Sequence, residues 1–544
     1  MTERSTPPAL ALPARSALSR RSMLVAGTAA AGLTVIAPAA SWAAGRQGTS
    51  GAPSDSTTAG GRRDPFTLGV ASGDPFPDGF VLWTRLAPEP LAEDGMGGMP
   101  ARSVRVQWEL ATDERFRRVV RRGAEHARPE LGHSVHVELS GLRSGTEYFY
   151  RFRTGGHHSP VGRTRTAPER GVVGAGLSMC FASCAQYEHG YFTAYRRLAE
   201  EEPDLVLHLG DYQYEHRADS YVAPGGNVRD HDGPETETLA NYRQRHAQYK
   251  TDPDLQVAHA VAPWLVVWDD HEIDNNWAAD VPERPDIPQP DFAARRIAAA
   301  QAYYENMPLR RSSVPSGVDI RLYRSIRWGG LANFHMLDTR QYRDDQACED
   351  GWKDCDAAGE PSRSITGAEQ EAWLLDGFRR SRARWDVLGQ QVFFAQRENA
   401  AGANSMDAWD GYSASRDRVT RGWVDAGVRN AVVLTGDVHT HWANELKLDY
   451  DDPASRSIGT ELVCSSITSG GDGADSDPSD NESVRLNPHI KFYNAQRGYV
   501  RTRITRDELR ADFRVVPQVS RTGAPVHTRA SFVVPDREAT LHEV

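Results

Sequence analysis

Lysine is nearly missing from this 544-residue chain. Only Lys250, Lys353, Lys447 and Lys491 stand among its 63 basic residues, and 74 acidic residues bring the formal charge to −11. That balance argues against a broad nucleic-acid-binding face. Long apolar runs are also missing: beyond residue 43 none reaches the roughly 20 residues that a membrane span requires. HExxH and Walker A signatures are absent, and GYSAS at 411–415 lacks the second glycine of a serine nucleophile elbow. Cysteine is scarce, and five residues cannot all pair, so at least one thiol needs another explanation. What remains, 39% hydrophobic and 25% charged, is the composition of a soluble globular protein long enough for at least two compact units.

The first 43 residues read as a twin-arginine export signal. A charged start leads to Ser19, Arg20, Arg21, Ser22, Met23 and Leu24, then to a weakly apolar stretch and the small residues Ser41 and Ala43. Gly27, Thr28, Gly32, Thr34 and Pro38 dilute that stretch, which disfavours a stable membrane anchor. The twin-arginine translocase is therefore the expected partner during export, and a secreted or periplasmic product is expected. Its removal takes away Arg4, Arg15, Arg20, Arg21 and Glu3, moving the charge from −11 to −14. Residues 44–64, rich in Gly, Ser and Thr, read as a flexible linker.

From 65 to 168 short alternating runs (FVLWTRL, SVRVQWEL, HSVHVEL, YFYRFRT) are separated by Gly, Pro and Asp. This spacing predicts an antiparallel β-sandwich. The segment Leu142 to Tyr148 resembles the tyrosine corner of fibronectin type III-like domains, with Tyr148 as the corner residue. From 169 to 544 the period changes. Apolar strand candidates at 177–182, 205–209, 264–268, 331–337, 385–388 and 431–434 are interleaved with amphipathic stretches, which predicts an α/β sheet covered by helices.

Polar residues follow each of these runs: Ser183 and Cys184; Asp211 to Tyr214; Asp269 to Glu272, with Asn275 and Asn276; Asp338 to Arg340; Gln390 and Gln391; and Asp437 to His441. Ligands of α/β sheets gather at the carboxyl ends of strands. One such Asp would be a helix cap or turn residue, but Cys, Asp, Tyr, Asn and His together suggest a metal centre. Oxygen ligands suit Ca²⁺, Mg²⁺ or Mn²⁺, whereas a thiolate beside a phenolate suits iron. Asp211 is placed to bridge two ions, and His271 and Arg340 to offset charge on phosphoryl oxygens in the transition state.

Six motifs in order, ASGDP (71–75), FASC (181–184), GDYQYE (210–215), WDDHEIDNNW (268–277), LDTRQYR (337–343) and GDVHTHW (436–442), together resemble the alkaline phosphatase D family. The resemblance runs from about residue 65 to 520. It implies a secreted Fe³⁺- and Ca²⁺-dependent phosphoesterase with a metallophosphoesterase-like β-sheet core, flanking helices and a small β-sandwich before it. It further implies Cys184, Asp211, Tyr214 and Asp437 as iron ligands, with Asp211 bridging to calcium and Asp270 or Asn275 on the calcium side. His271 stands where related enzymes carry a transition-state histidine, and His439 matches the last histidine of their GHxH pattern. Cys184 replaces their first Asp-x-His motif, and Asp437 replaces an imidazole, shifting the preference towards harder ions.

The expected reaction is hydrolysis of phosphate mono- and diesters by a metal-activated hydroxide. A phosphodiesterase or phospholipase D acting mainly on phospholipid or teichoic acid diesters is the alternative, and a non-catalytic extracellular binding protein a remote one. Of the cysteines, Cys348 and Cys355 in a polar loop are expected to pair, and Cys180 and Cys464 to be buried free thiols, leaving Cys184 as the ligand.

Overall fold

The computed structural model describes residues 63–544 apart from 287, 288, 290 and 453. The expected signal, and the linker up to residue 62, lie outside the described residues. The apolar runs become the strands Leu177–Ala182, Leu205–Leu209, Pro263–Val267, Ala332–Met336, Trp385–Gly389 and Ala431–Thr435. The last five are buried at every position. Strands covered on both faces need not alternate apolar with polar residues, although Ala332–Met336 does so with Asn333 and His335 buried.

These strands lie in two sheets, where one was expected. Leu177–Ala182, Leu205–Leu209 and Pro263–Val267 pair in parallel within a ten-stranded sheet. Ala332–Met336, Trp385–Gly389 and Ala431–Thr435 pair in parallel within a seven-stranded one. Local apolar runs mark strands but carry no record of which run pairs with which. One apolar cluster joins Phe181, Leu207 and Val266 of the first sheet to Phe334, Val387 and Val432 of the second. Helices Gly367–Arg380 and Ser413–Asp425 cover the second sheet, burying Leu374, Phe378, Val419 and Trp423 with Leu388 and Val433.

The amino-terminal runs also form strands. Val104–Ala111, Val119–Ala127 and Glu147–Thr154, with the short His157–His158 and Gly162–Arg165, make a five-stranded sheet. Its inner face packs Val106, Leu110, Tyr150 and Phe152 against Phe80, Leu82, Val135 and Val137. Tyr148 Oη accepts a hydrogen bond from Arg143 N at 3.1 Å, as the corner motif predicts. The facing strands Val70–Phe76, Gly79–Arg85 and Ser134–Leu139 are the end of the ten-stranded sheet, with Ser72 and Gly73 in parallel register with Pro263 and Trp264. Buried Arg85 fixes this layer by donating to Gly132 O, Arg243 O and Asn306 Oδ1.

Cys348 and Cys355 form a disulfide, while Cys180, Cys184 and Cys464 are buried thiols. No helix among the described residues is long and apolar enough to cross a membrane.

Candidate metal centre

The strand ends converge from both sheets. Leu177–Ala182 leads into Cys184, Leu205–Leu209 into Asp211, Pro263–Val267 into Asp270 and His271, and Ala431–Thr435 into Asp437 and His439. Cys184, Asp211, Asp437 and His439 all have positive φ, between 53° and 64°. Non-glycine residues seldom adopt that region, and several together commonly mark a functional site. Gly210 before Asp211 has φ +106°, and a Cβ there would stand 2.4 Å from Asp269 Cβ, so glycine is required for the two ligand loops to meet.

Two adjoining pockets result. In one, ligand atoms of Cys184, Asp211 and His439 lie within 4.8 Å of one another. Tyr214 Oη joins them, donating to Asp211 Oδ2 at 2.9 Å and lying 3.2 Å from His439 Nε2. In the other, Asp269, Asp270 and Asp437 converge. Asp211 links the two, since it also groups with Asp270 and His271. Asp437 thus stands with the carboxylates and His439 beside the thiol, whereas the family resemblance put Asp437 on the iron side.

The donor set fits cations. Asp269 Oδ2 and Asp270 Oδ1 are buried without any hydrogen-bond partner, an arrangement that costs free energy unless something positive faces them. Burial, and then the Asp211 carboxylate, pushes the Cys184 thiol well above its ordinary range. Burial and Asp270 do the same to Asp211, and burial and Asp269 to Asp437. Burial and neighbouring carboxylates thus disfavour the anionic forms of these groups, and bound cations would invert that preference. The first pocket, with sulfur, phenol, imidazole and carboxylate, has the donors of an iron site, and the all-oxygen second pocket those of a hard cation.

His271 lies at the edge of this cluster. Its Nδ1 is 2.8 Å from Glu215 Oε2, and its ring stacks on Tyr214 with centroids 4.1 Å apart. Burial disfavours its charged form, but Glu215, Asp270 and Asp211 outweigh burial and raise its pKa well above the ordinary value. Arg340 is fully buried. Its Nε donates to Asp269 Oδ1 at 2.6 Å and its two Nη atoms to Asp407 at 2.7 and 2.9 Å. Nη2 remains 3.8 Å from Asp270 and 3.9 Å from Asp437. Arg340 therefore holds the carboxylate wall, with its guanidinium bonded to Asp269 and Asp407. Asn275 turns its amide to Glu283 Oε1 at 2.7 Å and makes no hydrogen bond to the cluster. Its neighbour Asn276 does, donating its backbone N–H to Asp270 Oδ2 at 2.8 Å.

Sequence reasoning assigned no part to Glu215, Glu272 or Asp407. Glu272 accepts the backbone N–H groups of Asp211, Tyr212 and Asp269 at 2.7 to 3.0 Å, tying two ligand loops together. Glu215 and Glu272 lie inside motifs already singled out and were within reach of sequence reasoning. Asp407 has no local signal, because its partners Arg340 and Arg343 are more than 60 residues away.

The PhoD-like phosphatase family model matches residues 179–513, and the PhoD-like phosphatase N-terminal domain model matches residues 51–168. Alkaline phosphatase D of Bacillus subtilis (strain 168) is 51% identical over 484 residues, spanning 88% of this chain and 82% of that protein. The solved structure of PhoD superposes with a TM-score of 0.86 at 51% identity, covering 90% of this chain and 93% of that one. Both family models are matched in order, and half the residues are shared with a curated relative along most of both chains, so the chain belongs to the PhoD-like phosphatase family.

Proposed function

We propose that this phosphoric ester hydrolase is exported by the twin-arginine route and cleaves phosphate mono- and diesters at a centre holding Fe³⁺ and Ca²⁺. The observation that carries this reading is the position of Asp211, shared between a pocket with sulfur and imidazole donors and a pocket of carboxylates. Cys184, Asp211, Tyr214 and His439 would hold the iron, and Asp211, Asp270 and Asp437 the calcium, with Asn275 a further oxygen donor for it. When bound, such a pair polarises a phosphoryl oxygen and lowers the pKa of water.

The remaining chemistry falls to the chain's own groups. Protonated His271 offers an N–H to a phosphoryl oxygen or to the departing alkoxide, and Glu215 fixes which ring nitrogen faces the substrate. Arg340 is a positioning residue that acts through Asp269 and Asp407. Burial beneath the strand ends excludes bulk water and strengthens each of these interactions. Leader residues Arg20 and Arg21, the dilute apolar stretch after them, and a site needing folded geometry to collect its ligands all favour the export route.

Asp211→Asn tests the proposal. The variant should fold, with a melting temperature near that of the parent, and lose turnover of an aryl phosphate together with metal content by elemental analysis. Activity close to that of the parent would sink the shared-ligand reading.

A further inference from the structure

Arg397 stands beside the metal loop without a carboxylate partner. Its backbone segment is unusually well held. Phe394 N and Ala395 N donate to Glu461 at 2.8 and 2.9 Å, Arg397 N donates to Asp410 Oδ2 at 2.9 Å, and Glu398 N donates to Asn487 Oδ1 at 3.1 Å. Gln396 O lies 2.7 Å from His489 Nε2. Five consecutive residues are thus fixed by side chains from elsewhere in the fold, yet the guanidinium they carry makes no hydrogen bond, and its Nε is buried without an acceptor. Asp410, the acid that acts most strongly on its charge, is taken by Arg416. A buried donor left unpaired is costly, and an arginine present only to stabilise the fold would have captured such an acid.

Aromatic rings hold the guanidinium in place. Arg397 Cζ lies 4.5 Å from the Phe393 ring centroid, 5.3 Å from that of Trp442 and 5.0 Å from that of Trp352. Trp442 directly follows the Asp437 to His441 loop, and its Nε1 donates to Thr440 Oγ1 at 2.7 Å. Trp352 is 42% exposed and sits in the loop closed by Cys348 and Cys355. That loop reaches the metal side as well, because Asp350 accepts from Asn276 Nδ2 at 2.7 Å. Asp410 and then Asp437 favour the Arg397 charge, against the effect of burial. Aromatic faces favour a guanidinium by cation–π attraction while leaving its N–H edge free for an anion.

We propose that Arg397 and Trp352 form a subsite for the leaving-group side of the substrate. The guanidinium binds a further anionic group on the departing alcohol, and the indole covers a flat or apolar face of it. The substrates favoured are phosphate esters whose alcohol carries a second phosphate, phosphonate or carboxylate. This inference rests on the hydrolase reading above and deepens it.

The test compares phenyl phosphate with 4-(phosphonomethyl)phenyl phosphate on the metal-loaded enzyme. Arg397→Met should lower kcat/KM on the phosphonate-bearing ester at least tenfold more than on phenyl phosphate, with the difference carried by KM. Arg397→Lys, which keeps the charge without the fork, should show the same differential at smaller size, and it serves if the methionine variant fails to fold. Trp352→Ala, at an exposed position, should raise KM for phenyl phosphate more than for glycerol 2-phosphate. Equal losses on the paired substrates, losses confined to kcat, or no loss in any variant would overturn the subsite. Turnover of phenyl phosphate by the parent reads the hydrolase proposal separately. Calorimetric titration with benzylphosphonate, which is not cleaved, shows weaker binding to Arg397→Met whether or not turnover occurs; equal binding overturns the subsite.

Discussion

Glu215 holds His271 by its Nδ1 at 2.8 Å, so the ring's Nε2 edge is the one turned to the metal cluster. This contact sets both the tautomer and the charge of the ring. Glu215→Gln keeps the shape and removes the charge. We expect kcat on an aryl phosphate to fall roughly tenfold or more, a part of the 10²–10⁴-fold that a positioned proton donor contributes. KM should change little. Steady-state kinetics checks this, and a loss carried by KM alone would speak against the assignment.

Tyr214 Oη lies against both Asp211 and His439. Iron held there by the phenolate should give a visible charge-transfer band. Tyr214→Phe should abolish that band while Cys184→Ser shifts it, as read by absorption spectra of the purified proteins. A colourless parent containing no iron by elemental analysis would refute the iron assignment. Calcium removal by EGTA should suppress activity, and added Ca²⁺ should restore it.

Arg340 spans Asp269 and Asp407 with its side chain wholly buried. Replacing it by Met leaves Asp269 without its counter-charge and Asp407 with Arg343 alone. Breaking a buried pair from one side costs about 3–5 kcal/mol, so Arg340→Met should lower the urea midpoint clearly. Arg340→Met combined with Asp269→Leu, which removes the carboxylate left unpaired, should recover part of that loss. A single variant as stable as the parent would show that the pair contributes little.

His136 lies far from this chemistry and reports on stability. Its Nε2 is 2.9 Å from Met307 O, its ring stacks on Tyr304, and burial pushes its pKa down to about 4. Unfolded histidine titrates near 6.5. Between about pH 4 and 6.5 the unfolded chain binds a proton that the folded one does not, so this residue makes stability rise with pH through that window, by at most about 3 kcal/mol. His136→Asn should therefore flatten the difference in urea midpoint between pH 5 and pH 7. The remaining slope would come from other buried histidines such as His189 and His489, which are depressed in the same direction.

Strands are legible because interior strands are predominantly apolar: the runs at Leu177–Ala182 and Leu205–Leu209, interrupted only by Ser178 and His208, coincide with strands to the residue. Most site residues were legible for a related reason, since Cys184, Asp211, Asp270 and Asp437 each interrupt the chain where an apolar run stops. Pairing was not legible. Nothing in Ala332–Met336 says that it lies in a different sheet from Pro263–Val267, because pairing depends on surfaces formed only after collapse. The same holds for the division of donors between the pockets: Asp437 and His439 are two residues apart, both with left-handed backbone, yet they join different donor groups. The bond from Arg340 to Asp407, 67 residues on, has no local signal in the sequence either.

The parallel register of Ser72 and Gly73 with Pro263 and Trp264 has a consequence for cutting the protein. Expressing residues 169–544 alone would turn Pro263–Val267 from an interior strand into an open edge, with its apolar row and unpaired backbone groups ready to capture another chain. Such a fragment should aggregate. The amino-terminal layer serves as the edge guard of the sheet that carries Asp211, so the two family modules are expected to persist or be lost together.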